Sequence, residues 1–306
     1  MNRRLRAILL ILPIAAVCAA SVWAGLWYRA RSEGPAALMR RIPATGAMLV
    51  YVDFDALRRA GILDLLSGPK IAEESEYREF TRQIDFDYRK DLDSVLLAVA
   101  PTGKYLLVHG RFDWKRLRAY VDSQNGRCYD SLCRMQGSTP ERRISFFPVQ
   151  SDLMALAVSN DDSAALRMSS AAGEPPAEVP DAPLWVSVPP SVLQSEESLP
   201  AETRAFAQSL EGARSVVLSF APERERLTAR LEVRCRNAQD AGEVAAQLTR
   251  LTGLVRQTFE KAHRAPNPAD LTGVLTAGTF RTEDSRVFGQ WPIEQPFVRN
   301  LLGSGN

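Results

Sequence analysis

The stretch "SVLLAVAPTGKYLLVHGRFD" at 94–113 lines up without gaps against "SVVLSFAPERERLTARLEVR" at 215–234, an offset of 121 residues. Ser94 falls on Ser215, Leu97 on Leu218, and the Ala100-Pro101 step on Ala221-Pro222. Each copy reads as strand, turn, strand, with β-branched and aliphatic runs broken at a proline. A chain that carries this pattern twice is built by internal duplication.

The likeness extends outward. Upstream, "AMLVYVDFDAL" at 47–57 resembles "APLWVSVPPSV" at 182–192, each an extended apolar run leading towards helix. Downstream, 113–124 and 240–259 both have helical periodicity, with Asp113 and Asp240 as expected N-caps. In the second of these, Val244, Leu248, Leu251, Leu254 and Val255 share one face that needs a sheet to cover. More strand follows in each half, "RISFFPVQ" and "LMALAVS" in the first, "GVLTAGTFRTE" and "SRVFGQW" in the second. Short helices at "DDSAALRMSS" and "IEQPFVRNLLG" close the two units, and the first copy adds an acidic helix at "AEESEYREFTRQI". Hairpins with helices on one face predict an α+β fold of two repeated antiparallel units.

The expected boundaries are a cytoplasmic tail and signal-anchor over 1–31, a first repeat over 32–168, a proline-rich connector over 169–183, and a second repeat over 184–306. The connector, "SSAAGEPPAEVPDAP", cannot be continuous helix. It joins either two tandem domains or the halves of one pseudo-symmetric body, and its shortness favours the second.

Ala7 to Tyr28 carry no charge, behind Arg3, Arg4 and Arg6. As a helix this run spans about 33 Å, enough to cross a hydrocarbon core of roughly 30 Å. Trp23, Trp27 and Tyr28 sit at its outer end, as interfacial rings do. The expectation is a transmembrane helix that contacts membrane lipid through residues 7–28. This places the chain in the inner (cytoplasmic) membrane as a single-pass protein with its body extracytoplasmic. Cleavage after the small residues Ala19, Ala20 or Ala24 is the alternative.

Residues 1–44 hold seven arginines and one glutamate, net +6, which leaves the rest at −4 within a whole-chain charge of +2. The body therefore has no basic excess, and nucleic acid is not an expected partner. Cys128 and Cys133 are spaced to close a small loop as a disulfide in an oxidising compartment. Two cysteines alone supply too few ligands for a zinc site. Cys235, in "LTARLEVRC", reads as a small buried hydrophobe.

For chemistry, "FDYRKDLD" offers Asp87, Asp91 and Asp93 just after Asp85. The acids fail the calcium-loop pattern, since Lys90 takes the place of its glycine and Leu96 that of its closing glutamate. Their simpler role is to cap backbone amides. His109 near Asp113 is the one histidine–carboxylate pair worth weighing as a base. The duplication counts against it, because the gap-free alignment puts Arg230 and Arg234 at those places. His263 lies in a polar, proline-containing loop and is expected to be exposed. The segment 54–68 reads as an amphipathic helix with Leu57, Ile62, Leu65 and Leu66 inward.

The elements "YVDFDALR", "FDYRKDLDSV" and "GRFD" resemble those of uncharacterised bacterial exported proteins with a duplicated domain, a resemblance that implies topology and no activity. The expected function is a non-enzymatic, membrane-anchored binding or scaffold protein, without cofactor, whose partner is an envelope protein or cell-wall component. The alternative is an envelope hydrolase using Asp85, Asp87 and Asp91 with His109.

Overall fold

The computed structural model describes residues 34–63, 75–137, 139–171, 178–193, 210, 212–223 and 226–303. Their strands form one antiparallel, twelve-stranded sheet in the order β11-β12-β10-β9-β8-β1-β2-β3-β7-β6-β5-β4. The first half supplies β1 (Met48–Asp53), β2 (Leu92–Ala100), β3 (Gly103–Gly110), β4 (Arg127–Tyr129), β5 (Leu132–Gln136), β6 (Arg143–Pro148) and β7 (Leu153–Ser159). The second supplies β8 (Leu184–Val188), β9 (Ala213–Glu223), β10 (Arg226–Cys235), β11 (Thr279–Glu283) and β12 (Arg286–Ile293).

The duplication is visible in the pairing. β2 pairs with β3 and β9 with β10, and each pair has a bulge at its open end. The looped-out residues are Asp93 and Arg214, which the gap-free alignment also matches. Beyond the bulge the second hairpin is longer. Its pairing runs out to Glu223 opposite Arg226, so Ala221 and Pro222 are strand residues, not the turn that the alignment made of them. Counted from the bulges, the counterpart of His109 is Arg234, and the register slip comes from the extra residues in both arms.

The halves join through β1 and β8, which pair antiparallel with Val50 opposite Val186. β1 sets Val52 against Val95, and β8 sets Val188 against Val216. Val95 and Val216 are aligned copies, so Val52 corresponds to Val188 and Val50 to Val186. A pseudo-twofold axis therefore passes through the seam at a residue paired with its own counterpart.

The helices are α1 (Pro35–Met39), α2 (Phe54–Arg59), α3 (Ser75–Ile84), α4 (Tyr88–Asp91), α5 (Trp114–Ser123), α6 (Pro190–Leu193), α7 (Ala238–Lys261), α8 (Leu271–Thr276) and α9 (Gln295–Gly303), with a 3₁₀ turn at Ala164–Met168. The sequence predicts helices on one face of the sheet; instead they lie on both. The back of the sheet is covered in the first half by α3 and α5 (Ile84, Leu117 and Val121 against Val108 and Met154). In the second half it is covered by α7 and α9 (Ala241, Val244, Leu248 and Val298 against Leu231, Val233 and Val287). Among the described residues the front carries helix only in the first half, where Leu38 of α1 and Ala164, Ala165 and Met168 of the 3₁₀ turn close over Tyr51, Leu96 and Leu107. Trp185 of β8 belongs to that same first-half core.

Local chemistry explains the helix starts. Asp53, Asp87, Asp113 and Asp270 each accept a backbone N–H as N-cap. For α7 the cap is Asn237, which accepts from the Asp240 N–H; Asp240 is a first-turn residue, where its charge suits the helix dipole. On α7 the buried face runs Ala241, Val244, Leu248 and Thr252, while Leu254 is exposed. The helix expected over 54–68 is helical at Phe54–Arg59 with Leu57 buried; Leu65 and Leu66 lie outside the described residues.

The expected single-pass architecture needs correction. Among the described residues no helix is long and apolar enough to cross a membrane. The 24-residue α7 is amphipathic, with one face on the sheet and Glu243, Arg250 and Arg256 among the residues of its other sides. The fold is α+β on one sheet without a transmembrane helix among these residues. The signal-anchor and inner-membrane readings, and lipid contact through 7–28, rested on such a helix and are not carried further; the run 7–28 itself lies outside the described residues.

Candidate functional site

Among the described residues, the front of the second half is the large sheet face without a helix over it, and the strand sequences show why. In β3 both faces are apolar: Tyr105 and Leu107 enter the front core, Leu106 and Val108 the back. In β10, Ala229, Leu231, Val233 and Cys235 face the back core, whereas Thr228, Arg230, Glu232 and Arg234 face front. Alternation of that kind belongs to a strand with one solvated side.

Of these front residues, Arg230 and Glu232 line an open groove of about 590 Å³. Its floor is Val217 and Ser219 of β9, Arg230 and Glu232 of β10, and Phe288 and Gln290 of β12; Thr279 and Arg281 of β11 form one side. Pro180 and Asp181, from the connector, form the other. Arg230 pairs with Glu223, which also accepts from the Thr228 hydroxyl at 3.1 Å. These two donors, the guanidinium first, hold the Glu223 carboxyl below its usual pKa. The Arg281 guanidinium lies 4.9 Å from the centre of the Phe288 ring and pairs with Glu283.

The connector is tied to the groove's end by charge. Glu178 accepts from Arg286 at 3.1 and 3.2 Å and also pairs with Arg234. Glu232 sits between the same two arginines, 3.0 Å from Arg234 and 3.5 Å from Arg286. The hydrogen bond from Arg286, then the Arg234 charge, push the Glu178 carboxyl below its usual pKa, and Glu178 in turn raises Arg286.

The residues singled out from sequence lie in the first half. Asp85, Asp87 and Asp91 border one crevice of about 470 Å³ together with Arg78, Arg82 and Lys90. Each has a structural task. Asp85 pairs with Arg116 at 3.1 Å, and Asp87 caps α4. Asp91 accepts from the Asp87 N–H at 2.8 Å and pairs with Arg111 at 3.1 Å. His109 is not among the residues of that crevice. Its Nδ1 is 3.3 Å from Asp93 and its Nε2 3.7 Å from Asp152, so it binds the β2 bulge to the turn before β7. Asp113, read as its partner, caps α5. No group of three or more His, Cys, Asp or Glu side chains among the described residues is placed to hold a metal ion.

Cys128 and Cys133 are joined as a disulfide across β4 and β5, a hairpin present only in the first half among the described residues. Cys235 is buried, and burial raises its thiol pKa. His263 is exposed at a positive φ of 49°. The groove residues were not singled out from sequence, although the polar alternation of "TARLEVR" against the uniformly apolar "YLLV" was their signal.

No protein-family model matches the chain, and no curated protein matches it. Among solved structures it is similar to crystal form III of TP0453, at 10% identity and a TM-score of 0.52, over 86% of this chain and 95% of that one. Crystal form I of TP0453 covers 87% of this chain and 95% of its own, also at 10% identity, with a TM-score of 0.48. The likeness to form III is one of fold.

Proposed function

We propose that this chain is a non-catalytic binding protein that receives a polypeptide partner on the front face of its second half. The observation that carries this reading is the asymmetry between two copies of one unit. The first copy closes its front with α1 and the 3₁₀ turn over an apolar surface. The second presents a polar and aromatic groove with no helix of the described residues over it. Asp85, Asp87 and Asp91 border a crevice that His109 does not line, and each is held by its own donor, which leaves the hydrolase reading without an assembled acid–base set. The Cys128–Cys133 disulfide agrees with work in an oxidising compartment.

The test is site-specific photo-crosslinking in cells, with the photoreactive residue at Ser219 in the groove or at the exposed back-face position Gln247. One defined adduct from Ser219 and none from Gln247, with the captured protein then binding the purified chain at one-to-one stoichiometry, is the expected result. Equal labelling from both positions would defeat the proposal.

A further inference from the structure

We infer that the segment received by this face is acidic and extended, and that Glu178 is an intramolecular stand-in for one of its carboxylates; this rests on the docking face proposed above. Among described side chains, the front of the second-half sheet presents Arg230, Arg234, Arg281 and Arg286 against Glu223, Glu232 and Glu283. The sheet alone therefore has an excess of positive charge on this side. The chain itself meets it with acid, since the connector brings Glu178 onto Arg234 and Arg286 and places Asp181 at the groove wall.

The connector also displays the form of ligand that fits. Glu178 to Asp181 is non-helical chain containing a proline, with its first acid on the arginine pair and its second over the groove. A guanidinium pair takes a carboxylate through directed, charge-assisted hydrogen bonds. Val217 and Phe288 supply apolar contact between the charges, while Ser219, Gln290 and Thr279 offer hydrogen bonds to a peptide backbone. Arg234 and Arg286 carry two positive charges, of which Glu232 balances one. An incoming carboxylate must displace Glu178 to balance the other. Because Glu178 is tethered, it competes at a high effective concentration and holds the site's affinity down.

The experiment uses the full chain and a fluorescein-labelled peptide of repeated Glu-Val-Pro-Asp units, with binding followed by anisotropy. Wild type is expected to bind weakly, and Glu178→Gln about tenfold more tightly because the tethered competitor has lost its charge. Arg230→Gln combined with Arg281→Gln is expected to weaken binding about tenfold, and a Lys-Val-Pro-Lys peptide is expected not to bind. Arg230 and Arg281 are at least half exposed, so their replacement tests the idea even if Glu178→Gln fails to fold. Unchanged or weaker binding by a folded Glu178→Gln protein would overturn the inference. So would equal binding of the lysine peptide, or preferential capture of phosphatidylglycerol vesicles or of a single-stranded oligonucleotide. If every acidic-peptide titration is flat while Ser219 still captures its partner, the acidic assignment falls and the docking face stands. Loss of the Ser219 adduct with the peptide still bound gives the reverse result.

Discussion

Arg234 stands in the second half where His109 stands in the first. Each is the residue paired opposite the serine that follows a bulge, His109 with Ser94 and Arg234 with Ser215. The same backbone position serves two ends. His109 lies between Asp93 and Asp152 at the margin of a covered core, whereas Arg234 pairs with Glu232, a groove-lining residue, and holds the connector through Glu178. One copy uses the position for an internal tie and the other for a surface contact.

The seam should make the halves unfold together. Trp185 is 1% exposed, stacks on Tyr51 at 5.5 Å, and lies in the first half's core although its strand begins the second. Trp185→Ala is expected to cost about 3–5 kcal/mol. Urea unfolding followed by far-UV and tryptophan signals should give one coincident transition for wild type; two transitions, with only the first shifted by the substitution, would contradict the shared core.

Alkaline pH should loosen the same core. Burial first, and the Asp53 charge second, raise the Tyr51 pKa to about 12 from 10.0. A phenol with a raised folded pKa contributes stability that is intact below pH 10.0 and is lost as pH rises through about 12. Urea midpoints measured across that window should fall for wild type, and the fall should be smaller for Tyr51→Phe.

Acid should release the connector. The Glu178 carboxyl is held below 4.5 by Arg286 and Arg234, so its contribution is present above 4.5 and lost as pH falls through the lower folded value. Amide protection in 178–183, taken relative to the intrinsic exchange rate at each pH, should fall over that acid range in wild type. In Glu178→Gln that protection should already be low at neutral pH, with no matching acid step.

Reduction should weaken the β4–β5 edge without dismantling the sheet. The Cys128–Cys133 bridge closes a short loop, for which chain-entropy arguments give about 2 kcal/mol. Non-reducing peptide mapping should recover the linked pair, and Cys128→Ser with Cys133→Ser should lower thermal stability while leaving the Ser219 adduct unchanged.

Much of this was written in local pattern. The repeated strand–turn–strand, the α5 cap at Asp113, the Cys128–Cys133 pairing and the burial of Cys235 follow from side-chain chemistry within a few residues. The misalignment of His109 with Arg230 had an equally local origin. A gap-free match is fixed by its apolar residues, and lengthening both arms of a hairpin keeps their alternation while moving every partner. Asp85, Asp87 and Asp91, close in sequence, do border one crevice, but without His109 and each on a different donor, the chain turning at Asp85 with φ of 55°.

By itself the sequence determined that a strand–turn–strand unit with a following helix occurs twice; the burial of β3 on both faces and of β10 on one was seen only in the structure. Periodicity is a property of a single element and its surroundings. Only the tertiary structure decided that Val50 would meet Val186, that one sheet would run through both copies, and that Glu178 would bridge Arg234 and Arg286. Those contacts join residues far apart in the chain. An exposed strand edge or an arginine pair specifies a kind of partner, and which segment arrives there depends on the closure of the whole fold.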